Sequence, residues 1–355
     1  MWKFEEIFFL SFLIAVALTP LLRIVAFQLG ILDHPKQYGI HSHPVPRLGG
    51  LAIYAAFVIG SLYRMDLSHM LKGVLVGSSL IFFVGLLDDL IYLRAGFKLI
   101  VQLVACAVMI FRYGIILDVF PNVFWNGFFT ALGIIGITNA VNFLDNMDGL
   151  AAGLVMISSG TIFIVAFTTN QFWLGYLSMA LVGAAAGFLC FNLKRAYVFM
   201  GDAGSTFLGF TLASLAVMTE WSYHLPVTIA VPLLVLGVPI LDMFLITVLR
   251  IKEGKVRNFK EWIDYTGKDH LSHRLMRLGL GERGAVFSLW AFQTLLCAIG
   301  VAILPGKALQ GWLGLFLFLL AAVSTTFFFR RRRRLALHLG GRVSRPKRTP
   351  PAKIR

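Results

Sequence analysis

Charged residues are scarce in this sequence. Only 14% of its 355 residues are Asp, Glu, Lys or Arg, whereas 58% are hydrophobic. A soluble protein of this length would form two or three domains, and its surface would carry far more charge. Long runs without charge instead predict helices that cross a membrane several times. The predicted fold class is an all-α, polytopic integral membrane protein.

Cysteine is rare as well, and nothing indicates a cleavable leader. The three cysteines, Cys106, Cys190 and Cys297, lie in or beside apolar runs, and no CxxC pair exists. This pattern indicates neither a disulfide framework nor a cysteine-ligated metal site. The first apolar run follows two acidic residues rather than a basic segment, and it lacks a small-residue cleavage site. We therefore expect a retained helix and not a signal peptide.

Apolar segments divide the chain into about eleven candidate membrane-spanning helices. Charged residues, prolines and loop signals set their boundaries. Several are shorter than the roughly 20 residues that a span needs, so neighbouring residues must extend them. The predicted spans lie near residues 7–29, 49–64, 73–87, 98–117, 124–144, 150–168, 172–190, 204–219, 226–249, 286–304 and 310–329.

The distribution of Lys and Arg predicts the orientation of these helices. With the N-terminus outside, the inner connections and the C-terminal segment hold 26 of the 32 Lys and Arg residues. Basic residues accumulate on the cytoplasmic side of membrane proteins, so we expect a cytoplasmic C-terminus. One transmembrane domain is predicted over residues 1–329. It includes a cytoplasmic loop at 250–285 that carries nine of the basic residues.

The C-terminal segment, residues 330–355, explains most of the net charge of +15. It holds eleven Lys and Arg and no acid, so the rest of the chain has 21 basic and 17 acidic residues, a net charge of +4. A basic run can bind nucleic acid, but this one directly follows an apolar helix. We therefore expect a disordered cytoplasmic tail that contacts anionic lipid head groups, with no nucleic-acid partner.

Unusual polar residues gather on one predicted side of the membrane. The stretch NAVNFLDNMDGLAAG, residues 139–153, places three carboxamides and two carboxylates within ten residues. Unpaired, each would cost several kcal/mol in hydrocarbon, so water, a cation, a ligand or a mutual contact must compensate it. Asn139, Asn142 and Asn146 recur at helical spacing beside Asp145, and we expect them to share one face of a helix end. The predicted outer connections carry nothing comparable, which indicates a site that faces the cytoplasm.

Other inner connections add acids to the same side. Asp88 and Asp89 follow an apolar span, and Asp202 lies in GDAGS, where small residues let backbone amides approach an anion. Adjacent carboxylates can bind a hard cation such as Mg²⁺, or one of them can accept a proton. Asp202 can hold a metal ion that bridges phosphate oxygens. Asp242 is the one acid inside a predicted span, and we expect it to support other residues rather than to catalyse.

Basic and aromatic side chains on these connections suit an anionic ligand. Arg47 can grip phosphate by its planar fork, whereas the nearby His34, His41 and His43 have no second ligand cluster at zinc spacing. The aromatic ring of Phe199 can stack on a nucleobase. The other candidate contacts are Lys98, Asn192, Lys194, His270, His273 and Arg274.

In their order and predicted side, these motifs resemble those of the polyprenyl-phosphate N-acetylhexosamine-1-phosphate transferases. These membrane enzymes of glycosyltransferase family 4 begin the synthesis of bacterial polysaccharides and cell-wall polymers. The resemblance runs from about residue 33 to 275 and is nearest to the undecaprenyl-phosphate N-acetylglucosaminyl 1-phosphate transferase branch. It rests on PRLGG, the DD pair followed by Lys98 and Gln102, NAVNFLDNMDGLA, FMGDAGS, PILD and HLSHRL.

The resemblance implies a phosphotransferase reaction and a location in a bacterial inner membrane. Undecaprenyl phosphate attacks the β-phosphorus of UDP-N-acetylglucosamine, and UMP leaves. Mg²⁺, or Mn²⁺ in its place, neutralises charge between the two anionic substrates, while the protein orients them. Direct attack and a covalent phospho-enzyme both stay open, as does the oligomeric state, a homodimer included.

The resemblance also implies roles by position. The metal ligands are Asp202 and Asn142, and the catalytic acids are Asp88, Asp89, Asp145 and Asp148. One of the adjacent pair accepts the proton of the lipid phosphate. The nucleotide contacts are Phe199, Asn192, Asn146 and Asp148, and the phosphate and sugar contacts are Arg47, Lys98, His270, His273 and Arg274.

The chain departs from the family pattern at Ser272, where relatives that use N-acetylglucosamine often have a histidine (HLHHR). The muramoyl-pentapeptide branch carries three consecutive histidines and a TPTMGG-like first loop, and this chain has neither. N-acetylglucosamine is therefore favoured, with another UDP-N-acetylhexosamine or phospho-N-acetylmuramoyl-pentapeptide as the alternatives. A secondary transporter, with polar groups near the midplane and an outer gate, is the alternative from another class, followed by a scaffold protein.

Overall fold

The computed structural model describes residues 3–33, 43–64, 68–193, 196–258, 261–262, 265, 267 and 269–339, and these residues are mostly helical. A π-helical turn, Val108–Arg112, extends the helix Ala95–Ala107. The helices are α1 Phe4–Leu29, α2 Gly49–Arg64, α3 His69–Ile91, α4 Ala95–Ala107, α5 Val123–Leu144, α6 Leu150–Thr168, α7 Phe172–Asn192, α8 Gly201–Met218, α9 Leu225–Val235, α10 Gly237–Lys252, α11 Leu271–Arg277, α12 Glu282–Ile303 and α13 Ala308–Leu339.

Each predicted span corresponds to one of these helices or to a helix pair, which confirms a polytopic membrane protein. Within the described ranges, eight helices are long and apolar enough to cross a membrane, and the bent pair α9–α10 makes nine. The other two are α2, which has 16 residues, and α8, which begins with the polar sequence GDAGST. The count of eleven spanning helices and their orientation therefore stay predictions.

Two boundaries differ by at least five residues from those read from the sequence. The span expected to reach residue 117 ends at Arg112, because Gly114 adopts a left-handed conformation (φ +67°) that stops the helix. The last helix continues to Leu339, ten residues into the segment assigned to the tail. Arginine and leucine are good helix formers, so the basic run extends the helix. Residues 340–355 lie outside the described part of the chain.

Helix α8 lies at the centre of the fold and positions the predicted site. Every side chain from Ala203 to Ala216 is buried, and α2, α3, α5 and α6 pack around it. Its first turn is held by close backbone approach, since a Cβ on Gly85 of α3 would lie 2.6 Å from Ala203 Cα. Packing through a glycine is a common way for helices to meet in membranes.

A short antiparallel pair of strands is the one described exception to the all-helical prediction. Leu32–Asp33 pairs with Val45–Pro46, so that Leu32 lies opposite Pro46. The second strand continues toward Phe199, whose N–H donates to Pro46 O at 2.8 Å. The PVPRLGG segment is thereby attached to the segment that leads into α8.

The predicted span 226–249 is broken. Helices α9 and α10 meet at Leu236 with a bend of 79°. The freed carbonyl of Val235 accepts hydrogen bonds from Gln293 Nε2 and Ser158 Oγ, both at 2.7 Å, and Gln293 Oε1 accepts the N–H of Val238 at 2.8 Å. A break at membrane depth requires such internal partners, because lipid offers none.

Candidate active site

A lysine joins two acids from different helices at the centre of the predicted site. Lys98 of α4 donates from Nζ to Asp88 Oδ2 on α3 and to Asp202 Oδ2 on α8, each at 2.7 Å. The other oxygen of Asp88 accepts the N–H of Leu93 at 2.5 Å. The ammonium group therefore offsets part of the negative charge of two carboxylates that are far apart in sequence.

Asp89 has a different environment from its neighbour. Its Oδ1 accepts the N–H of Asp202 at 2.9 Å, and its Oδ2 accepts the N–H of Ala203 at 3.0 Å. A carboxylate in this place satisfies unpaired amides at the N-terminus of α8 and is favoured by the helix dipole. Gly201 adopts φ +69°, and a Cβ there would overlap the Asp89 carboxylate. The glycine thus lets Asp89 cap the helix that carries Asp202.

Asn142 of α5 orients Asp202 from the other side. Its Nδ2 donates to Ser205 Oγ at 2.8 Å and to Asp202 Oδ1 at 3.3 Å. Since the amide nitrogen is used within the protein, the amide oxygen is the atom that a cation can bind. Ser205 was not among the predicted site residues, although its place in GDAGS was the available signal.

The three asparagines do not share one helix face as expected. Asn139 pairs with Gln102 of α4, with 2.8 Å between Asn139 Nδ2 and Gln102 Oε1, whereas Asn142 contacts α8. Asn146 lies beyond the end of α5 at Leu144. Helical spacing predicted a common face, but the helix ends between the second and third asparagine.

Asp145 ends α5 among other acids. Part of its surface remains accessible, yet protein atoms surround it, and this burial raises the pKa of Asp145 to about 8. The charges of Asp202, Asp89 and Asp148 raise that pKa further, and the charge of Arg47 lowers it. Among the described residues, no donor lies within hydrogen-bonding distance of its carboxylate. Asp145 thus joins Asp88, Asp89 and Asp202 in an acidic cluster, and among the described residues it has no hydrogen-bond donor there.

The connection after Asp145 is tied to the end of α7. Asn192 accepts the N–H of Gly149 at 2.8 Å through Oδ1 and donates to Val198 O at 2.9 Å through Nδ2. Asp148 Oδ2 accepts the N–H of Ala196 at 2.7 Å. Asn192 is buried with both ends of its amide engaged, so the geometry favours loop support over the predicted direct contact with a nucleotide.

A cavity opens beside Asp148. Its volume is about 350 Å³. It combines two acids and an arginine with apolar and aromatic surface, a mixture typical of ligand pockets. The lining residues are Asp148, Leu193, Gly281, Glu282, Arg283, Val286 and Phe287.

The first loop contributes Arg47 and the backbone around Phe199. Gly49 N donates to Phe199 O at 3.0 Å, and the Phe199 side chain is half-buried. Arg47 forms an ion pair with Asp33, with 3.2 Å between Nη2 and Oδ1. The partner acid was not anticipated, because it precedes the motif by fourteen residues and belongs to another strand. His43 is exposed, while His34, His41 and Lys194 fall outside the described residues.

The predicted cytoplasmic loop is held by Asp242 of α10. His270 Nδ1 lies 2.7 Å from Asp242 Oδ2, and the N–H of Leu271 donates to Asp242 Oδ1 at 2.6 Å. Asp242 and His270 are both buried, at 1% and 6% exposure. Asp242 therefore supports another residue, as its position inside a span suggested. The His270 ring lies 5.8 Å from the ring of Phe143, at the end of α5.

Ser272, where the chain departs from the family pattern, joins this loop to the acidic connection. Its Oγ donates to Asn146 Oδ1 at 2.8 Å, and Asn146 Nδ2 donates to Phe143 O at 2.7 Å. Ser272 is fully buried. Like Asn192, Asn146 has both ends of its amide engaged, which favours a supporting role over the predicted nucleotide contact.

A buried ion pair next to His270 was missed entirely. Arg250 donates to both oxygens of Asp269, at 2.9 and 2.7 Å, and its guanidinium lies 4.5 Å from the ring centroid of Tyr265. Burial alone would raise the pKa of Asp269, but the hydrogen bonds and charge of Arg250 outweigh it and hold that pKa below its ordinary value. Arg274 Nε donates to Asp269 O at 2.6 Å, while His273 is half-buried on α11. The only sequence signal was an acid adjoining the predicted histidine.

The cluster has the chemistry of a magnesium site without a complete set of ligands. Its donors are carboxylate and amide oxygens, which hard cations prefer, and four aspartates outnumber the single lysine. Within the described ranges, no group of three or more acidic, histidine or cysteine side chains is arranged to hold a metal ion. Mg²⁺ usually binds one or two carboxylates, substrate phosphates and water, so Asp202 and Asn142 fit this type of site.

The segments that form this site match a known protein family. A sequence model of the family described as Glycosyl transferase family 4 matches residues 71–220, the part of the chain from α3 to the end of α8. The match includes Asp88, Asp89, Lys98, Asn142 and Asp202 and excludes the loop around His270.

Relatives extend the similarity over most of the chain. A probable undecaprenyl-phosphate N-acetylglucosaminyl 1-phosphate transferase of Bacillus subtilis (strain 168) is 32% identical over 326 residues, which cover 89% of this chain and 88% of the relative. The undecaprenyl-phosphate α-N-acetylglucosaminyl 1-phosphate transferase of Escherichia coli (strain K12) is 29% identical, with 84% and 83% covered. A decaprenyl-phosphate N-acetylglucosaminephosphotransferase of Mycobacterium leprae (strain TN) is 28% identical, with 77% and 76% covered.

Proposed function

The chain belongs to glycosyl transferase family 4, and on this premise we propose that it transfers N-acetylglucosamine 1-phosphate from UDP-N-acetylglucosamine to undecaprenyl phosphate. An oxygen of the lipid phosphate forms a bond to the β-phosphorus of the donor. The bond between that phosphorus and the oxygen bridging to the α-phosphate breaks, and UMP leaves. One phosphoanhydride replaces another, so the reaction needs no separate source of energy.

One observation carries this proposal. Acids and amides from α3, α5 and α8 and from the connection after α5 converge around the N-terminus of a buried helix, with Lys98 between two of the acids. Four acids concentrated at one place would repel each other unless a cation joined them. Two polyanionic substrates can meet at such a place only when positive charge is supplied as well.

Mg²⁺ would supply that charge when bound to Asp202 and the amide oxygen of Asn142. Lys98 already spans Asp88 and Asp202 and is placed to contact a phosphate oxygen. Asp89 holds the first turn of α8, and with it Asp202, in position. Both oxygens of Asp89 accept N–H groups of α8, so Asp88, the other acid of the adjacent pair, is assigned as the acceptor of the lipid phosphate proton.

The nucleotide is assigned to the side of the cluster where Asp148 lies. The cavity of about 350 Å³ beside Asp148 has room for a base and offers the aromatic ring of Phe287 and the charge of Arg283. Phe199, the predicted stacking ring, and Arg47, a predicted phosphate contact, lie in the segments that lead into α8 and α2. The sugar and diphosphate are assigned to the loop that carries His270, His273 and Arg274.

The orientation proposed is an active site open to the cytoplasm, with the C-terminus on the same side and the basic tail against anionic lipid. The charge asymmetry of the connections supports it. Cysteines introduced singly at residues 88, 145 and 202 should all be labelled from the cytoplasmic face. Labelling from opposite faces would exclude a shared site.

Exchange of labelled UMP into UDP-N-acetylglucosamine tests the reaction. Membranes that contain the protein, with Mg²⁺ and undecaprenyl phosphate, should show exchange, and Asp202→Asn should abolish it while the protein remains inserted. A panel of UDP-sugars, read by the mass of the lipid product, tests the sugar. No exchange with any UDP-sugar would refute the enzyme assignment, and a product carrying another N-acetylhexosamine would correct the donor.

A further inference from the structure

We propose that Asp242 is a positioning residue for the reaction: it holds the proton of His270 on Nδ1 and leaves Nε2 to the substrate diphosphate. This inference rests on the proposed function and adds a residue that contacts no reacting atom. Asp242 Oδ2 lies 2.7 Å from His270 Nδ1, and Asp242 Oδ1 accepts the N–H of Leu271 at 2.6 Å.

The direction of the hydrogen bond follows from the carboxylate. An ionised carboxylate has only acceptor atoms, so the shared proton must belong to Nδ1. The other oxygen of Asp242 accepts the N–H of Leu271, so both carboxylate oxygens act as acceptors. Little water reaches either side chain, and a hydrogen bond in such surroundings is stronger than one in water. Asp242 therefore determines which ring nitrogen carries a proton.

The remaining nitrogen is the one that can meet a ligand. Among the described residues, no side chain or backbone group lies within hydrogen-bonding distance of His270 Nε2. When Nε2 also carries a proton, its N–H can donate to a phosphate oxygen. At metal sites, a carboxylate bound to one ring nitrogen commonly orients a histidine whose other nitrogen is the ligand, and the geometry here is similar.

Docking of the loop does not depend on Asp242 alone. Arg250 binds both oxygens of Asp269, and Ser272 donates to Asn146, so the residues on both sides of His270 are held independently. Asp242→Asn keeps the size of the side chain and an oxygen that can accept from Leu271. Its amide would face His270 as a donor, which reverses the polarity of one hydrogen bond and changes little else.

Kinetics of single and double variants distinguish a positioning role of Asp242 toward His270 from a purely structural role. Full-length protein would be assayed with UDP-N-acetylglucosamine, Mg²⁺ and undecaprenyl phosphate for wild type, Asp242→Asn, His270→Gln and the double variant. We expect Asp242→Asn to lower kcat/KM by about 10- to 100-fold in the wild-type background and by less than about 3-fold when His270 is already replaced. Equal losses in both backgrounds, or no loss in the first, would overturn the proposal.

Nitrogen NMR of protein labelled with ¹⁵N-histidine gives a readout that needs no turnover. Assigned by its absence from His270→Gln, the wild-type His270 signal should show a protonated Nδ1, and Asp242→Asn should move the proton of the neutral ring to Nε2. A wild-type ring with its only proton on Nε2 would refute the inference even if Asp242→Asn failed to fold. Failure of the proposed function would appear separately, as a wild-type protein without transfer activity but with the expected NMR signal.

Discussion

Replacing Asp89 by Asn tests whether the two adjacent acids have the different functions that their contacts indicate. Asp89 accepts the backbone N–H groups of Asp202 and Ala203, whereas Asp88 pairs with Lys98. Asparagine has one carbonyl oxygen, so one of the two amides at the N-terminus of α8 would lose its acceptor. If Asp89 only positions Asp202, the variant should bind Mg²⁺ more weakly and still catalyse.

The free-energy cost of Asp89→Asn follows from the hydrogen bond and the negative charge that the variant loses at the N-terminus of α8. Loss of a helix N-cap costs about 0.5–2 kcal/mol, and loss of negative charge at the N-terminus costs about 0.3–1 kcal/mol more. The sum, roughly 1–3 kcal/mol, corresponds to about a 5- to 150-fold change in an equilibrium constant. We expect part of this change in the concentration of Mg²⁺ that gives half-maximal rate and the remainder in stability.

The assay is initial rate against Mg²⁺ concentration, with thermal unfolding of the same preparations. Asp89→Asn should recover to within about tenfold of wild type at saturating Mg²⁺, whereas Asp202→Asn should not recover. Asp118→Asn, at an exposed acid of a predicted outer connection, is the matched control and should change neither measurement. A folded Asp89→Asn protein whose saturated rate falls more than about a thousandfold would show that Asp89 takes part in proton transfer.

Three further predictions concern stability. Arg250→Met should destabilise the protein by about 3–5 kcal/mol in chemical denaturation, because it leaves Asp269 without its partner. The control Lys255→Met removes a more exposed ion pair and should cost at most about 1 kcal/mol. With EDTA present, thermal unfolding should show wild type losing stability relative to Asp145→Asn as pH rises from 5 to 9. The raised pKa of Asp145, about 8, means that the folded state retains a proton that the unfolded state has released. A difference in unfolding temperature between the two proteins that stays constant from pH 5 to 9 would refute that pKa. Gln293→Leu should lower the unfolding temperature, because it frees backbone groups at the α9–α10 break; equal temperatures would show that the break has other partners.

Much of the fold could be predicted because membrane helices are coded locally. A run of apolar residues identifies a helix from its own composition, and each of the eleven segments contains helix. The bend at Leu236 could not be predicted, because the apolar run continues through it. The groups that stabilise the bend, Gln293 and Ser158, come from other helices. The extension of α13 differs from the prediction for another reason. A run of arginines after an apolar span predicts the end of the membrane-spanning part, but arginine also favours helix, so the helix itself continues.

In the site too, the types of residue could be predicted from short stretches of sequence, whereas the contacts between distant residues could not. Spacing and composition identified Asp88, Asp89 and Asp202 as a group. They could not show that Lys98 joins the first to the third, or that the second caps α8 from more than a hundred residues away. Amides were the least predictable, since Asn146 is engaged by Ser272 of a distant loop. Chemical type can be read from a sequence, but the choice of partner depends on packing.

The Lys98 ammonium group between Asp88 and Asp202 affects how the site folds in the membrane. A site that holds its own counter-charge can assemble in the membrane before any divalent ion arrives, whereas many metal sites fold only around their ion. Chelation should then switch the enzyme off while leaving it intact, and returning the ion should restore it at once. Lys98 holds the Asp202 carboxylate without the ion, so we expect folding of this protein not to depend on the proposed Mg²⁺.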